Sequence, residues 1–291
     1  MPSLQQINTK ITSVRGTMRI MSAMKLIAAV KLQRAQSLLK AHRDYVSAYT
    51  KISSGVLATC EPDSHPLLFR PEEKKRAHVV FLTSDRGLCG NFNNVLIKGL
   101  DAMLEERGFD KGNLKMTFLG NKGRNFFAPR GLAQGSYYSG INESNYTEVS
   151  EELSTLLSRE FTERETDEVI VVHSNFISAL SRETVFDTFL PIEFPSDEQD
   201  PDDCVFEPSK EKIVEDLIPG YLRLRMEKSV LESLTSEHSA RMTAMESATN
   251  NADELVKNLT LLFNKTRQAI ITTELMDIVN GTEALREGGD D

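Results

Sequence analysis

The feature that most constrains this fold is a heptad-spaced run of small and apolar residues near the C-terminus. Residues 236–281 contain no proline, and their first glycine is Gly281. Small and apolar side chains recur there every three and four residues, the spacing of a helix that packs along a partner helix. The predicted seam comprises Met245, Ala248, Ala252, Leu255, Leu259, Leu262, Thr266, Ala269, Thr273 and Met276. Because half of these side chains are small or carry a hydroxyl, the helix needs a close-fitting partner.

A matching helix is predicted at the N-terminus, where the same spacing recurs. Its seam comprises Ile7, Ile11, Val14, Met18, Met21, Lys25, Ala28, Leu32, Ala35 and Leu39. The helix should begin near Ser3, a suitable N-cap, and continue to the turn residues at 53–55. At 1.5 Å per residue, roughly 50 residues give about 75 Å, and roughly 60 residues after Tyr221 give about 90 Å. The two terminal helices are therefore predicted to form a long antiparallel coiled coil.

Between these helices, short β-rich runs alternate with helical stretches. Buried strands are predicted at 78–82, 114–119 and 168–173, helices at 92–107, 122–130 and 146–164, and an antiparallel strand at 184–190. This alternation indicates an inserted Rossmann-like α/β domain with a largely parallel sheet. The predicted division is an N-terminal shaft helix at 1–58, the α/β domain at 75–205 and a C-terminal shaft helix at 209–286.

Two segments interrupt this pattern before the last helix. Residues 195–203 read P-S-D-E-Q-D-P-D-D, an acidic and turn-rich linker. Farther along, Ile218-Pro219-Gly220 predicts a kink or a restart of the helix, because an internal proline removes a backbone hydrogen bond.

Composition favours a protein without a membrane span or a disulfide framework. No apolar run reaches the eighteen or so residues that a bilayer requires, and basic residues interrupt the apolar N-terminal segment that a secretory signal would need. The three cysteines lie far apart, without a C-x-x-C pair, and the five histidines fall singly on unrelated segments. We therefore expect a reducing compartment, no zinc site, and histidines that serve as surface or polar filler.

Charge is unevenly distributed along the chain. Residues 1–60 hold nine lysines and arginines against one aspartate, a balance of +8, whereas the whole chain carries −9, so the remainder carries −17. A basic helix is typical of contact with nucleic acid, an anionic membrane or an acidic protein, or simply of a solvated face. The acidic remainder disfavours nucleic acid.

The loop at 84–91, S-D-R-G-L-C-G-N, follows the first predicted strand and precedes a helix. A phosphate-binding loop would lie in this position, but neither G-x-G-x-x-G nor G-x-x-x-x-G-K-[ST] occurs anywhere in the chain. The two glycines predict a tight turn that leaves Arg86 and Cys89 exposed. A catalytic thiol is disfavoured because no histidine can be assigned to Cys89. A nucleotide-binding enzyme built on the central domain remains the alternative function.

Four segments resemble the gamma subunit of the F-type ATP synthase, and the resemblance covers essentially the whole chain. They are I-N-T-K-I-T-S-V-R-G-T-M-R-I-M-S-A-M-K-L-I-A-A-V-K-L-Q-R-A-Q at 7–36, D-R-G-L-C-G-N-F-N at 85–93, S-E-H-S-A-R-M-T-A-M at 236–245 and N-K-T-R-Q-A-I-I-T-T-E-L at 264–275. The resemblance implies a non-catalytic shaft with no cofactor or metal. It would couple ion-driven rotation of a membrane ring to ATP synthesis or hydrolysis, the ion being a proton or sodium.

The same resemblance implies the partners and their contact residues. The partners are the alpha and beta subunits of the catalytic ring, the epsilon subunit and the membrane rotor ring, with no nucleic acid. Contacts with the catalytic subunits fall on Met24, Lys25, Arg86, Cys89, Arg241, Gln268, Thr272 and Glu274, and the helix tip at Ile278 and Val279 sits in an apolar bearing. Because Lys25 occupies a seam position, an acidic side chain of a partner subunit best explains it.

The resemblance also implies where the chain works. Phe206-Glu207-Pro208 is similar to the family segment that faces the rotor ring, which places Glu207 at the foot of the shaft. With no cleavable presequence recognised, we expect a peripheral protein on the cytoplasmic side of a bacterial membrane. The cysteine-pair insertion of chloroplast forms is not found, so control by thiol oxidation is not expected.

Overall fold

Two long helices enclose an α/β sheet domain in sequence, as predicted. The computed structural model describes residues 3–58, 65–69, 71, 76–132, 135–192 and 209–287. The elements are α1 (Leu4–Ala58), β1 (Ala77–Leu82), α2 (Phe92–Arg107), β2 (Leu114–Leu119), α3 (Asn121–Phe127), β3 (Tyr137–Tyr138), α4 (Tyr146–Thr162), β4 (Glu168–Phe176), β5 (Arg182–Leu190) and α5 (Lys210–Glu287). Short 3-10 turns lie at Pro66–Leu68 and Ala128–Arg130. The linker at 195–203, Glu207, Cys60 and Cys204 lie outside the described residues.

The chain forms two compact units. The first comprises Met1–Ile27 and Ala244–Asp291, and the second comprises Ala28–Thr243. Helices α1 and α5 each contribute one stretch to either unit.

In the first unit, α1 begins with the predicted cap. The Ser3 hydroxyl accepts from the Gln6 amide at 3.2 Å, and the Gln6 side chain accepts from the Ser3 amide at 3.0 Å. This reciprocal pair satisfies two amides that the first helical turn would otherwise leave open. It explains why the helix starts at Leu4.

The seam predicted for α1 is confirmed along its length, since each of its ten side chains is buried or half-buried. At the start of α1, Ile7 and Ile11 pack in one apolar cluster with Val256 and Leu259 of α5. Farther along α1, Lys25 meets Glu246, which precedes that pair in α5. As residue numbers increase along α1, the residue numbers of its contacts on α5 decrease, so the two helices run antiparallel.

The seam predicted for α5 is half correct. A heptad seam has two rows of side chains. In the first row, Met245, Ala252 and Leu259 are buried as expected, but beyond Ala252 the second row lies one residue later than predicted. Val256 is buried where Leu255 was expected, and the half-buried Phe263 replaces Leu262; the predicted seam residues Leu255 and Leu262 are exposed. The seam therefore keeps its heptad spacing but lies on a slightly rotated face.

Beyond Thr266, α5 has no packed face among the described residues. Every side chain from 267 to 282 is exposed, including the predicted seam residues Ala269, Thr273 and Met276. The reason is that α1 begins at Leu4 and meets α5 no later than about Phe263. α5 therefore extends past its partner helix.

The second unit contains a mixed five-stranded sheet of order β3-β2-β1-β4-β5. β1 pairs in parallel with β2 and β4, β2 pairs in parallel with β3, and β5 is antiparallel to β4. The four predicted strands and their directions are confirmed. The two-residue strand β3 was not predicted, because two residues are too few to show a period.

Alternate side chains of β1 fill two cores. Val80 and Leu82 pack in the cluster that contains α4 residues and the α5 residues Ile218 and Leu222, whereas Val79 and Phe81 face the cluster of α2 and α3 residues. Both faces of the sheet are therefore buried, as expected for parallel strands.

A kink or a restart was predicted at Pro219; α5 continues through this residue, so it does not restart there. Proline has no amide hydrogen, so the Glu215 carbonyl loses its usual helical donor. Two residues farther on, the Tyr49 hydroxyl of α1 donates to the Leu217 carbonyl at 2.9 Å. The ring of Tyr49 lies against Gly220, where a Cβ atom would collide with the hydroxyl. Tyr49 thus packs against the turn of α5 that contains Pro219.

One buried polar network joins the sheet to α4. Glu160 accepts from His78 Nδ1 at 2.7 Å and from Lys115 Nζ at 2.8 Å, while His78 Nε2 lies 2.8 Å from the Thr117 hydroxyl. Burial raises the pKa of Glu160, but these hydrogen bonds and charges outweigh it and hold the pKa at about 2. Glu160 is therefore ionised inside the fold, and His78 serves as the polar filler that was expected.

Candidate functional site

The carboxyl edge of the sheet is where a ligand of an α/β domain would bind. Open parallel sheets bind ligands outside the carboxyl ends of the strands, where the strand order reverses. In this sheet the order reverses between β1 and β4. The loop at 84–91 follows β1, and the hairpin at 177–181 follows β4. Arg86 and Cys89, the two contact residues predicted on the 84–91 loop, therefore lie at this edge of the sheet.

α5 lies over this edge. The Ser236 hydroxyl donates to the Ser174 carbonyl at 3.2 Å, and the Ser239 hydroxyl donates to the Ala179 carbonyl at 2.8 Å. Ala240 belongs to the same apolar cluster as Phe81. A helix thus occupies the position in which a nucleotide would bind, which disfavours the enzyme alternative.

Arg241 links α5 to the loop after β1. Its Nη1 lies 2.7 Å from Glu237 Oε1, and its Nη2 donates to the carbonyls of Arg86 and Gly87 at 3.3 and 3.4 Å. Burial raises the pKa of Glu237, and the adjacent Arg241 opposes that shift. The structure therefore brings together two predicted contact residues, Arg86 and Arg241, and gives Arg241 partners within the chain.

A buried histidine lies beside this contact. His238 Nε2 is 2.9 Å from Glu143 Oε1, in the loop that follows β3. Burial lowers the pKa of His238 to about 4, although the Glu143 carboxylate opposes the shift. The imidazole is consequently neutral near pH 7, and it holds the loop after β3 against α5.

The loop at 84–91 is held from within. Asp85 accepts from the amides of Asn121 at 3.1 Å and Gly140 at 2.7 Å. These two bonds hold the loop against the start of α3 and against the loop that follows β3. Leu88 adopts a φ of 65°, an uncommon conformation for a residue other than glycine, and its side chain is exposed. Such outliers concentrate at functional sites.

The predicted exposure of Cys89 is wrong. Its side chain is buried, and Sγ accepts from Asn93 Nδ2 at 3.2 Å. The turn at Leu88 directs the thiol toward α2 and leaves Leu88 outside instead. Sequence reasoning missed Leu88, although an apolar residue between two glycines of a tight turn was a visible signal.

Lys25 also departs from expectation. Its Nζ lies 2.8 Å from Glu246 Oε1, with 38% of the lysine side chain and 51% of the glutamate side chain exposed. An acidic partner within the chain therefore explains why a lysine is tolerated at a seam position. Met24, beside it, is half-buried. About a third of the Lys25 side chain is still available for an external contact.

The other predicted contact residues lie on the unpacked end of α5. Gln268, Thr272 and Glu274 are exposed, and the Thr272 hydroxyl donates to the Gln268 carbonyl of its own helix at 2.9 Å. Ile278 and Val279 are exposed as well. The same end exposes further large apolar side chains that were not predicted as contacts, namely Ile270, Ile271 and Leu275.

α1 carries a second set of exposed apolar residues outside its seam. In the first unit these are Ile20, Leu26 and Ile27. These side chains are candidates for contact with another protein. Sequence reasoning missed these residues because it followed the seam; their signal was an apolar side chain on the opposite face.

The described residues offer neither a metal centre nor a membrane segment. No group of three histidine, cysteine, aspartate or glutamate side chains is placed to bind a metal ion within them. No helix in the same residues is long and apolar enough to cross a bilayer.

Comparisons with known proteins agree with this arrangement. The family model described as ATP synthase matches residues 3–285. The ATP synthase gamma chain of Anaeromyxobacter sp. (strain Fw109-5) is 38% identical, with 98% of this chain and all of the relative covered. The gamma chain of Geotalea daltonii is 36% identical, again with 98% of this chain and all of the relative covered.

Solved structures share the fold. A chain of the Euglena gracilis mitochondrial ATP synthase in rotational state 3 superimposes with a TM-score of 0.73 at 18% identity, covering 99% of this chain and 96% of that one. A chain from the central stalk and c-ring of the Tetrahymena thermophila mitochondrial enzyme gives 0.59 at 20% identity, covering 79% and 99%. With full-length bacterial relatives above one-third identity, this chain belongs to the family of ATP synthase gamma chains.

Proposed function

We propose that the chain is the central rotor shaft of an F-type ATP synthase and has no active site of its own. Rotation of a membrane ring, driven by ion flow, turns the chain, and the turning chain drives ATP synthesis or hydrolysis at sites formed by the alpha and beta subunits. The observation that carries this proposal is α5, which is packed along α1 and the sheet over most of its length and then continues unpacked with exposed apolar residues.

A shaft must be stiff where torque passes along it and must present a surface for its surroundings where it acts. The seam of α1 and α5 supports the first requirement, because buried side chains at heptad spacing hold two helices in register. The exposed end of α5 supports the second, since apolar side chains without a packing partner favour burial against other subunits. Ile278 and Val279 are the proposed bearing contacts.

We assign the contacts with the catalytic subunits to three surfaces. Met24 and Lys25 form the first, on α1. The loop after β1 forms the second, where we place Arg86 and Leu88 outside and the buried Cys89 as internal support. The third is on α5 and comprises Arg241, Gln268, Thr272 and Glu274.

The remaining partners follow from the same role. We place the epsilon subunit and the membrane rotor ring against the α/β domain, with Glu207 facing the ring. The chain would then be peripheral, on the cytoplasmic side of a bacterial membrane, held there by its partner subunits.

Reconstitution tests this function. Alpha and beta subunits are assembled with and without this chain on ion-translocating vesicles, and ATP hydrolysis is measured together with ATP-driven ion pumping. We expect pumping only when the chain is present, and no hydrolysis by the chain alone. Normal pumping without the chain would refute the proposal, and saturable ATP binding by the isolated full chain would favour the nucleotide-binding enzyme.

A further inference from the structure

A buried carboxylate joins three elements within the second unit. Glu232 of α5 is 1% exposed, and its Oε1 accepts from Arg43 of α1, at 2.6 Å from Nη2 and 3.2 Å from Nε. Its Oε2 accepts from the Phe176 amide at the end of β4, at 2.9 Å. Arg43 Nη2 also lies 3.4 Å from the Phe176 carbonyl. One glutamate thus connects the sheet to both long helices.

The contact differs in kind from the seam around it. Apolar contacts such as those of Ala35 and Leu39 are not directional, so helices can slide slightly over them at small cost. Charge-assisted hydrogen bonds are short and depend on angle. Because Glu232 is buried, moving Arg43 away would leave a carboxylate without its counter-ion, which is strongly unfavourable. Relative motion of α1, α5 and β4 is therefore opposed steeply at this point.

A second pair lies beside it. His42, the neighbour of Arg43, places its Nε2 3.0 Å from Glu227 Oε2, and both side chains are buried. Two consecutive residues of α1 therefore meet two buried glutamates of α5. Of these two pairs, the Arg43–Glu232 pair is the one that also reaches the sheet through Phe176.

We infer that the Arg43–Glu232–Phe176 junction is a torque-bearing joint that fixes the sheet to both shaft helices. This inference rests on the proposed function. The sheet domain receives the rotation, the joint passes it to α1 and α5 together, and neither helix can twist alone against the other. Arg43 and Glu232 act here as positioning residues, since they contact no substrate.

The test compares Arg43→Ala with a matched control, Arg107→Ala. Arg107 lies 2.8 Å from Glu168, with side-chain exposures of 44% and 2%, against 48% and 1% for Arg43 and Glu232. The control thus also removes a half-exposed arginine that pairs with a buried glutamate. Its pair joins α2 to β4 inside the α/β domain and does not involve the two long helices. Both variants should lower the melting temperature of the full chain by similar amounts.

The readout is the angular fluctuation of a bead attached to the α/β domain of the whole complex, with the catalytic subunits fixed to a surface. Loss of the charge-assisted pair between Arg43 and Glu232 should lower the torsional stiffness of this region, so Arg43→Ala broadens the fluctuation. Arg107→Ala should leave it at the wild-type value. Arg43→Lys, which keeps the charge, should restore part of the stiffness.

Glu232→Gln provides a variant of nearly unchanged shape in case Arg43→Ala fails to assemble. Its amide oxygen still accepts from Phe176, but the charge-assisted bond to Arg43 is lost, so it should also broaden the fluctuation. Wild-type fluctuation in the assembled Arg43 and Glu232 variants would overturn the joint alone. A bead that never rotates during ATP hydrolysis with the wild-type chain would overturn the proposed function as well.

Discussion

Reversing the charge of Lys25 separates its contact within the chain from a contact with a partner subunit. The Lys25–Glu246 pair is partly exposed, and exposed ion pairs contribute about 0.2–1 kcal/mol. Lys25→Glu replaces attraction by repulsion of similar size, so the free energy of unfolding should fall by about 1 kcal/mol. For a chain of this size, that lowers the melting temperature by about 2–4 °C.

The effect on coupling should be larger if Lys25 also meets an acidic side chain of a catalytic subunit. Breaking one partner of a charge pair buried at an interface costs about 2–5 kcal/mol. Ion pumping per ATP hydrolysed, measured in vesicles with the whole complex, should therefore fall by at least about tenfold, well beyond the small change in stability. Calorimetry of the isolated chain gives the stability of the same variant.

Two further variants make the result decisive. Lys257→Glu disrupts the more exposed pair of Lys257 with Asp253, 2.7 Å away, and should change neither coupling nor melting appreciably. The exchange Lys25→Glu with Glu246→Lys restores an ion pair within the chain but presents a reversed charge to the outside. We expect it to recover the melting temperature and not the coupling. Recovery of both would show that Lys25 acts only within the chain.

Three other predictions concern the helix seam, the buried Glu160 and two helical glycines. Leu259→Ala should lower the free energy of unfolding in urea by about 2–5 kcal/mol, whereas Leu255→Ala, at an exposed side chain, should cost far less; equal losses would contradict the seam. Glu160 has a pKa of about 2 in the fold against 4.5 for the ordinary side chain, so it contributes stability that is complete above pH 4.5 and is lost as the pH falls toward 2. The urea midpoints of the wild type and Glu160→Gln should accordingly converge over that interval, and a constant difference would refute an ionised Glu160. Gly16→Ala should stabilise α1 by up to about 1 kcal/mol in thermal melts, since nothing lies within 4 Å of the added methyl group. Gly220→Ala should destabilise the chain because its methyl group meets a tyrosine hydroxyl of α1, and a gain at both glycines would contradict that packing.

The first half of the α1 seam could be predicted from sequence because Ile7, Ile11, Val14 and Met18 each lie between two polar residues. In α5 the second row could not, since Leu255 is followed by Val256 and Leu262 by Phe263. Either member of each pair continues a heptad pattern. The face of α1 that meets them decides between the two, and that information lies more than 200 residues away in the chain.

The same distance limits prediction at the candidate site. The strand, turn and helix around residues 84–91 followed from local pattern, but the inward direction of Cys89 depends on the backbone angle at Leu88 and on Asn93. Glu246, the partner of Lys25, lies 221 residues away in sequence. A seam pattern shows that a lysine is out of place without showing what compensates for it.

The unpacked end of α5 has a consequence for how the complex is assembled. An isolated helix of about 12–15 residues is only marginally stable in water, and residues 267–282 gain no support from tertiary packing. Amide hydrogens in this stretch should therefore exchange quickly in the free chain and become protected when the other subunits close around it. Part of the binding free energy is then used to order the helix. If this end binds the catalytic subunits as proposed, its rigidity is acquired on binding.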